Sequence, residues 1–210
     1  MAAKKILLVE GVDDEHVLKN LCGARKVGKL DEFKKFEGVD RLLRELPVEI
    51  KGSNMDAMGV VIDADVNLAD RWDSLRNRLM QAGYKNIPEQ PDPKGTIISA
   101  PPGSLLPRFG VWIMPDNQSA GILEDFLRFL VPDKNQLFEH VETSIASIPA
   151  GEQRFSDAAK PKAVIHTWLA WQKEPGKPMG TAITARFLDP DAPQVDTLIQ
   201  WLQRLYFSNS

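Results

Sequence analysis

Two continuous apolar runs, each followed by acidic residues, indicate the fold class: Ile6-Leu7-Leu8-Val9-Glu10 and Met58-Gly59-Val60-Val61-Ile62-Asp63-Ala64-Asp65. Such a run is typical of a strand that is buried on both faces of a parallel sheet. Apolar residues at helical spacing follow each run, in segments 13–21 and 72–83. Asp13 is the predicted N-cap of the first of these helices. The sequence therefore predicts two strand–helix units.

Strands and helices continue to alternate before the chain becomes mostly helical. We predict further strands at 33–36, 111–114 and, less regularly, 96–99. We predict further helices at 39–47, 121–131, 135–148, 158–171 and 193–207. This order predicts an α/β protein with a mostly parallel sheet, helices on both faces and additional C-terminal helices. The 210 residues suit a single domain, with a core over about 4–130 and a helical extension over about 131–210.

The composition is that of an ordinary globular protein. Hydrophobic residues make up 43% and charged residues 26%, and the formal net charge is -3. The overall basic excess of many nucleic-acid binders is therefore missing. The apolar run at 6–9 is too short for a signal peptide, and no stretch approaches the ~20 apolar residues that span a bilayer. Cys22 has no partner for an internal disulfide. We therefore expect a cytoplasmic protein without a membrane association.

Acids follow three of the predicted strands, at Glu10, at the pair Asp63 and Asp65, and at Asp116. The carboxyl ends of parallel strands meet at one edge of a sheet, where ligands bind. Strand alternation would put Asp63 and Asp65 on the same side, where like charges repel unless a cation lies between them. With three histidines and one cysteine in the chain, we expect Mg²⁺ or Mn²⁺ rather than Zn²⁺. An acid after a strand is also a common turn or helix-cap residue, and this applies above all to Asp116.

The segment 8–14, Leu-Val-Glu-Gly-Val-Asp-Asp, followed by Val-Val-Ile-Asp-Ala-Asp at 60–65, resembles the TOPRIM domain. Its hallmark is a glutamate at the end of the first strand and a D-x-D step at the end of the third. The chain looks closest to short stand-alone TOPRIM-like proteins of unknown function, which in turn resemble the overcoming-lysogenization-defect nucleases. The resemblance covers residues 4–82 best and implies a TOPRIM-like Rossmannoid fold.

This resemblance implies roles for the acids. Glu10 matches the family glutamate, which binds metal or acts as a general acid or base. Asp63 and Asp65 match the metal-binding pair. Asp14 lies where the nuclease branch commonly has a second acid, and we add Asp116 as a possible further metal ligand.

Two later elements also match the nuclease branch. Glu124, within the segment 121–125, matches a leucine-glutamate element and would bind a second metal. Lys160 or Lys162 matches a late lysine of that branch, which would give it a catalytic role, and the sequence does not distinguish between the two.

Two functions remain open from the sequence. The first is Mg²⁺-dependent hydrolysis of phosphodiester bonds in DNA or RNA. The second is a non-catalytic module that binds metal, nucleotide or a protein partner, with a homodimer as one arrangement. Topoisomerase chemistry needs a tyrosine nucleophile, and neither Tyr84 nor Tyr206 lies beside an acidic motif. A solvated helix face is the default explanation for Arg71, although it follows the D-x-D step closely enough to contact a phosphate.

Overall fold

A five-stranded sheet forms the centre of the computed structural model, which describes residues 4–52 and 55–208. Its strands are β1 (Lys4–Val9), β2 (Glu32–Lys35), β3 (Met55–Asp63), β4 (Thr96–Ile98) and β5 (Arg108–Met114). The spatial order is β2-β1-β3-β5-β4. All neighbouring pairs are parallel except β4 and β5, which are antiparallel. The α/β class and the mostly parallel sheet are therefore confirmed.

Helices cover both faces of this sheet. The helices are α1 (Val12–Ala24), α2 (Val39–Ile50), α3 (Leu68–Ala82), α4 (Leu123–Arg128), α5 (Gln136–Ala146), α6 (Lys160–Ala170), α7 (Met179–Thr184) and α8 (Pro193–Tyr206). A short 3₁₀ turn at Asp157–Ala159 leads into α6. Among the described helices, none combines the length and the apolar character needed to cross a bilayer.

Three predicted helix boundaries were wrong. Helix α1 has Gly11, not Asp13, as its N-cap, because the Asp14 carboxylate accepts the Gly11 backbone N–H (3.0 Å). Helix α2 continues through Pro47 to Ile50, whose burial stabilises the last turn despite the missing proline N–H. Helix α4 spans only six of the eleven residues predicted at 121–131.

Helix α7 was not predicted, because its six residues are too few to show a helical period. It packs directly on α1 at Gly180. A Cβ atom added at Gly180 would lie 2.8 Å from the backbone carbonyl carbon of His16, so only glycine permits this close approach. The contact joins the C-terminal part of the chain to the helix that follows β1.

The two sheet faces bury different helices. On one face, Leu7, Val9 and Val61 share a core with α1 and with the helices from α4 to α8. On the other face, Leu8 and Val60 share a core with α2 and α3. This alternation along β1 and β3 is the reason that both strands appear in the sequence as unbroken apolar runs.

Helix α8 lies against the middle of the sheet. Gly59 and Gly110 are paired across β3 and β5, and a Cβ atom at either position would collide with α8. At Gly59 the collision is with the Tyr206 hydroxyl (2.6 Å), and at Gly110 it is with Leu205. The C-terminal helix is thus part of the sheet's cover rather than a separate layer.

The tryptophans show where the C-terminal helices are buried. Trp112, Trp168 and Trp201 are almost fully buried, so the strand and helices that carry them contribute to the core. Trp171 is 44% exposed because it lies just after the end of α6.

Candidate functional site

Glu10 and Asp63 meet at the carboxyl ends of neighbouring strands. Glu10 directly follows β1, and Asp63 is the last residue of β3. The Asp63 backbone N–H donates a hydrogen bond to Glu10 Oε1 (2.7 Å). Burial raises the pKa of Glu10 to about 7, and this hydrogen bond opposes the rise. Glu10 can therefore gain or lose a proton near neutral pH.

Asp14 joins them from the first turn of α1. Its carboxylate is 8% exposed and caps the helix through the Gly11 N–H. Burial raises the pKa of Asp14 to about 6, the backbone hydrogen bond opposes this, and the charge of Glu124 adds to the rise. The cap thus points a buried carboxylate into the same region as Glu10, whose pKa the Asp14 charge also raises.

Asp63 is the most strongly perturbed of these acids. Burial raises its pKa from 3.8 to about 9, and the charges of Glu10, Asp14 and Glu124 contribute further. Its Oδ1 atom is buried and has no hydrogen-bond partner among the described residues. Ionised Asp63 is therefore unfavourable here unless a cation or a donor compensates its charge.

Asp65 is held differently from Asp63. Strand β3 ends at Asp63, and Asp65 has a left-handed backbone (φ 55°), so strand alternation does not orient the pair as expected. The Asp65 carboxylate is 47% exposed and forms an ion pair with Arg71 in the first turn of α3. Arg71 is only 13% exposed, and its Nε is buried without a partner among the described residues. Its charge also lowers the pKa of Glu10.

A contact between two loops positions Glu124 near the other acids. Backbone hydrogen bonds join Asp65 and Gly121 in both directions, at 2.9 and 2.8 Å, just before α4 begins. Glu124 lies in the first turn of α4 and is 4% exposed. Burial raises its pKa, while the charges of Lys162 and His166 lower it.

Of the remaining predicted residues, the two lysines are associated with Glu124, whereas Asp116 is not associated with the buried acids. The charge of Lys162 acts on Glu124, whereas Lys160 lines a cavity beside the same glutamate. Asp116 is engaged by its own loop, because its carboxylate accepts the N–H groups of Gln118 (2.9 Å) and Ser119 (2.8 Å). It is not among the main charges acting on the buried acids, so its geometry is that of a turn residue.

Sequence reasoning gave His166 no role, although its charge acts on Glu124. His166 lies four residues after Lys162, on the same face of α6. The four-residue spacing predicts that Lys162 and His166 share a helix face. Only the tertiary structure shows that this face lies near Glu124.

The acids provide the oxygen ligands that Mg²⁺ prefers, and the unpaired Asp63 Oδ1 is a suitable ligand atom. In the structure, however, the carboxylates lie farther apart than the ligands of a metal-binding site do. Within residues 4–52 and 55–208, no three His, Cys, Asp or Glu side chains are grouped closely enough to hold a metal ion. Binding would therefore require the carboxylates to move closer together. The residue types fit Mg²⁺.

A family model described as "Protein of unknown function (DUF3226)" matches residues 4–207. The chain belongs to the DUF3226 family. The DUF3226 match includes every acid described above and extends through α8, so sheet, acids and C-terminal helices all lie within the family's extent. No curated protein and no solved structure matches the chain.

Proposed function

We propose that this DUF3226 protein is a TOPRIM-like enzyme that hydrolyses phosphodiester bonds of nucleic acid with Mg²⁺ or Mn²⁺. One observation carries the proposal: Asp63 has a buried carboxylate oxygen with no hydrogen-bond partner in the described part of the chain, among the charges of Glu10, Asp14 and Glu124. Gathering buried acids without compensation is unfavourable, and a divalent cation makes the arrangement favourable. The motif at Glu10 and the D-x-D step support the TOPRIM-like assignment.

The acids divide into two groups of prospective metal ligands. Asp63, Glu10 and Asp65 would hold one ion, and Glu124 with Asp14 would contribute to a second. When bound, the metal supplies a Lewis acid that polarises the phosphate and lowers the pKa of a water molecule.

The chain's own groups provide proton transfer and charge. Glu10 Oε1 is engaged by the Asp63 N–H, which leaves Oε2 as the atom that would either bind the metal or exchange a proton. Arg71 holds Asp65 through Nη2, which keeps a positive charge beside the acids. Lys162, beside Glu124, would stabilise the negative charge that develops on the phosphate.

A non-catalytic module that binds metal, nucleotide or a protein partner is the second candidate. The ion pair between Arg71 and Asp65 favours it, because one prospective ligand is already neutralised by the chain itself. The net charge of -3 also provides no broad surface for a nucleic-acid backbone.

Metal-dependent cleavage tests the proposal directly. Purified protein is incubated with single-stranded DNA, linear duplex DNA, nicked DNA and RNA, in Mg²⁺, Mn²⁺ or EDTA. We expect cleavage that EDTA and Asp63→Asn abolish. Asp116→Asn is the matched control, because it changes an acid at a neighbouring strand end whose carboxylate is engaged by its own loop.

Calorimetric titration with Mg²⁺ separates the two candidates. Metal binding that depends on Asp63, without cleavage of any substrate, would favour the non-catalytic module. If the protein neither binds Mg²⁺ nor cleaves, the metal-dependent enzyme is refuted, and the second candidate is reduced to a module that binds a nucleotide or a protein partner.

A further inference from the structure

Arg71 brings a positive charge into the group of acids. Its guanidinium pairs with the Asp65 carboxylate, its side chain is only 13% exposed, and its charge lowers the pKa of Glu10. Arg71 lies at the N-terminal end of α3, where the helix dipole makes a positive side chain unfavourable. The helix therefore gives no reason for an arginine at this position, whereas the neighbouring acids do.

The backbone fixes the other partner of this ion pair. Asp65 has a left-handed backbone conformation and is paired with Gly121 through two backbone hydrogen bonds. It also lies only two residues before Asn67, the N-cap of α3. An ion pair between groups whose backbones are already held in place loses less conformational entropy than one between two mobile side chains. The contact of Arg71 with Asp65 is therefore built into the connection between β3 and α3.

This ion pair involves an acid that the proposed metal also needs. Asp65 belongs with Glu10 and Asp63 to one group of prospective ligands, and the Arg71 guanidinium already contacts its carboxylate. The guanidinium would repel a divalent cation at the same carboxylate. This repulsion is considerable because a partly buried pair of charges is screened less by water and salt than an exposed pair. Metal binding must therefore displace Arg71 or overcome its charge.

We propose that Arg71 is a positioning residue that holds Asp65 in the metal-free protein and competes with the metal for this carboxylate. The inference rests on the proposed function, because it concerns the affinity of the same site for Mg²⁺. Removal of the Arg71 charge then has two effects of opposite sign. The metal-free protein loses the ion pair and becomes less stable. The metal meets one positive charge fewer and binds more tightly.

Arg71→Met tests the inference, because methionine keeps an unbranched apolar side chain and removes the charge. Arg76→Met is the matched control. Arg76 lies on the same helix, its Nε is likewise buried without a hydrogen-bond partner in the described part of the chain, and it is not among the main charges acting on Glu10 and Asp63. Calorimetric titration measures the Mg²⁺ affinity. Urea denaturation in EDTA measures stability, and this series also includes Asp65→Asn and the double variant Asp65→Asn/Arg71→Met.

We expect Arg71→Met to bind Mg²⁺ at least about tenfold more tightly than the unmodified protein, which corresponds to about 1.4 kcal/mol, and to unfold at a lower urea concentration. Arg76→Met should bind Mg²⁺ as the unmodified protein does. When Asp65 is already asparagine, Arg71→Met should cause a smaller loss of stability, because the ion pair is absent from both proteins.

Equal or weaker Mg²⁺ binding by Arg71→Met overturns the inference, and so does a stability loss of the same size with and without Asp65. Cleavage that requires Asp63, together with a Mg²⁺ affinity that Arg71→Met leaves unchanged, would keep the proposed function and remove only the role of Arg71. If neither the unmodified protein nor Arg71→Met binds Mg²⁺, the inference and the proposed function fail together.

Discussion

Replacing Asp63 by asparagine is expected to remove one cause of the loss of stability as the pH rises. The folded protein keeps the Asp63 proton up to about pH 9, whereas the unfolded chain releases it near 3.8. Between these values the unfolded state binds fewer protons, so raising the pH favours unfolding. Stability from this group is therefore greatest at acidic pH and is lost as the pH rises towards 9.

The size of this stability change follows from the single proton that Asp63 releases on unfolding. One proton released on unfolding lowers the free energy of unfolding by about 1.4 kcal/mol per pH unit. From pH 6 to 8, Asp63 should thus contribute a loss of about 3 kcal/mol, which Asp63→Asn lacks because its amide mimics the protonated acid. The variant should become increasingly more stable than the unmodified protein over this range.

Urea denaturation in EDTA, followed by tryptophan fluorescence at several pH values, measures this difference. Asp73→Asn, an exposed acid on α3, is the matched control and should retain the pH dependence of the unmodified protein. Adding Mg²⁺ at pH 8 should stabilise the unmodified protein and Asp73→Asn, but not Asp63→Asn. Parallel pH profiles for Asp63→Asn and the unmodified protein would show that this carboxyl is not protonated in the fold, and the electrostatic reasoning would fail.

Three further substitutions test the structure around the acids. Asn67→Ala removes the N-cap that accepts two backbone N–H groups of α3, so thermal denaturation should show a loss of about 1 kcal/mol; an unchanged melting temperature would argue against this cap. Gly180→Ala would press against the His16 backbone, so urea denaturation should show a loss of about 1–3 kcal/mol, and an equally stable variant would contradict the close approach of α7 to α1. Tyr206→Phe removes the buried hydroxyl that donates to the Ile6 carbonyl oxygen (2.6 Å) and should destabilise by about 1 kcal/mol in the same assay, whereas no loss would mean that this bond contributes little.

The sequence predicted the strands better than the ends of the helices. The runs before Glu10 and Asp63 are apolar at every position, because both faces of the sheet are covered. Helix ends depend on single contacts instead. The cap at Gly11 requires the Asp14 side chain to turn back, and Pro47 is tolerated because Ile50 is buried beyond it. Such contacts are not visible in periodicity.

Some residues of the candidate site could likewise be predicted from the strands, whereas the positions of others depend on contacts between distant segments. Strand ends alone predicted that Glu10 and Asp63 would meet, and their hydrogen bond confirms this. The same argument brought in Asp116, which proves to be engaged by its own loop. Glu124 came only from resemblance, since it follows no strand, and its proximity depends on the pairing of Asp65 with Gly121.

By itself, the sequence determined the α/β class and the edge at which acids gather, because buried parallel strands leave a local pattern and all end on one side of the sheet. Only the tertiary structure decided which acids become buried together, that Arg71 neutralises Asp65, and that a cavity lies beside Glu124. These features depend on the pairing of Asp65 with Gly121, between the loops before α3 and α4, and on the contact of α4 with α6. Contacts between segments that are distant along the chain leave no periodic trace in it.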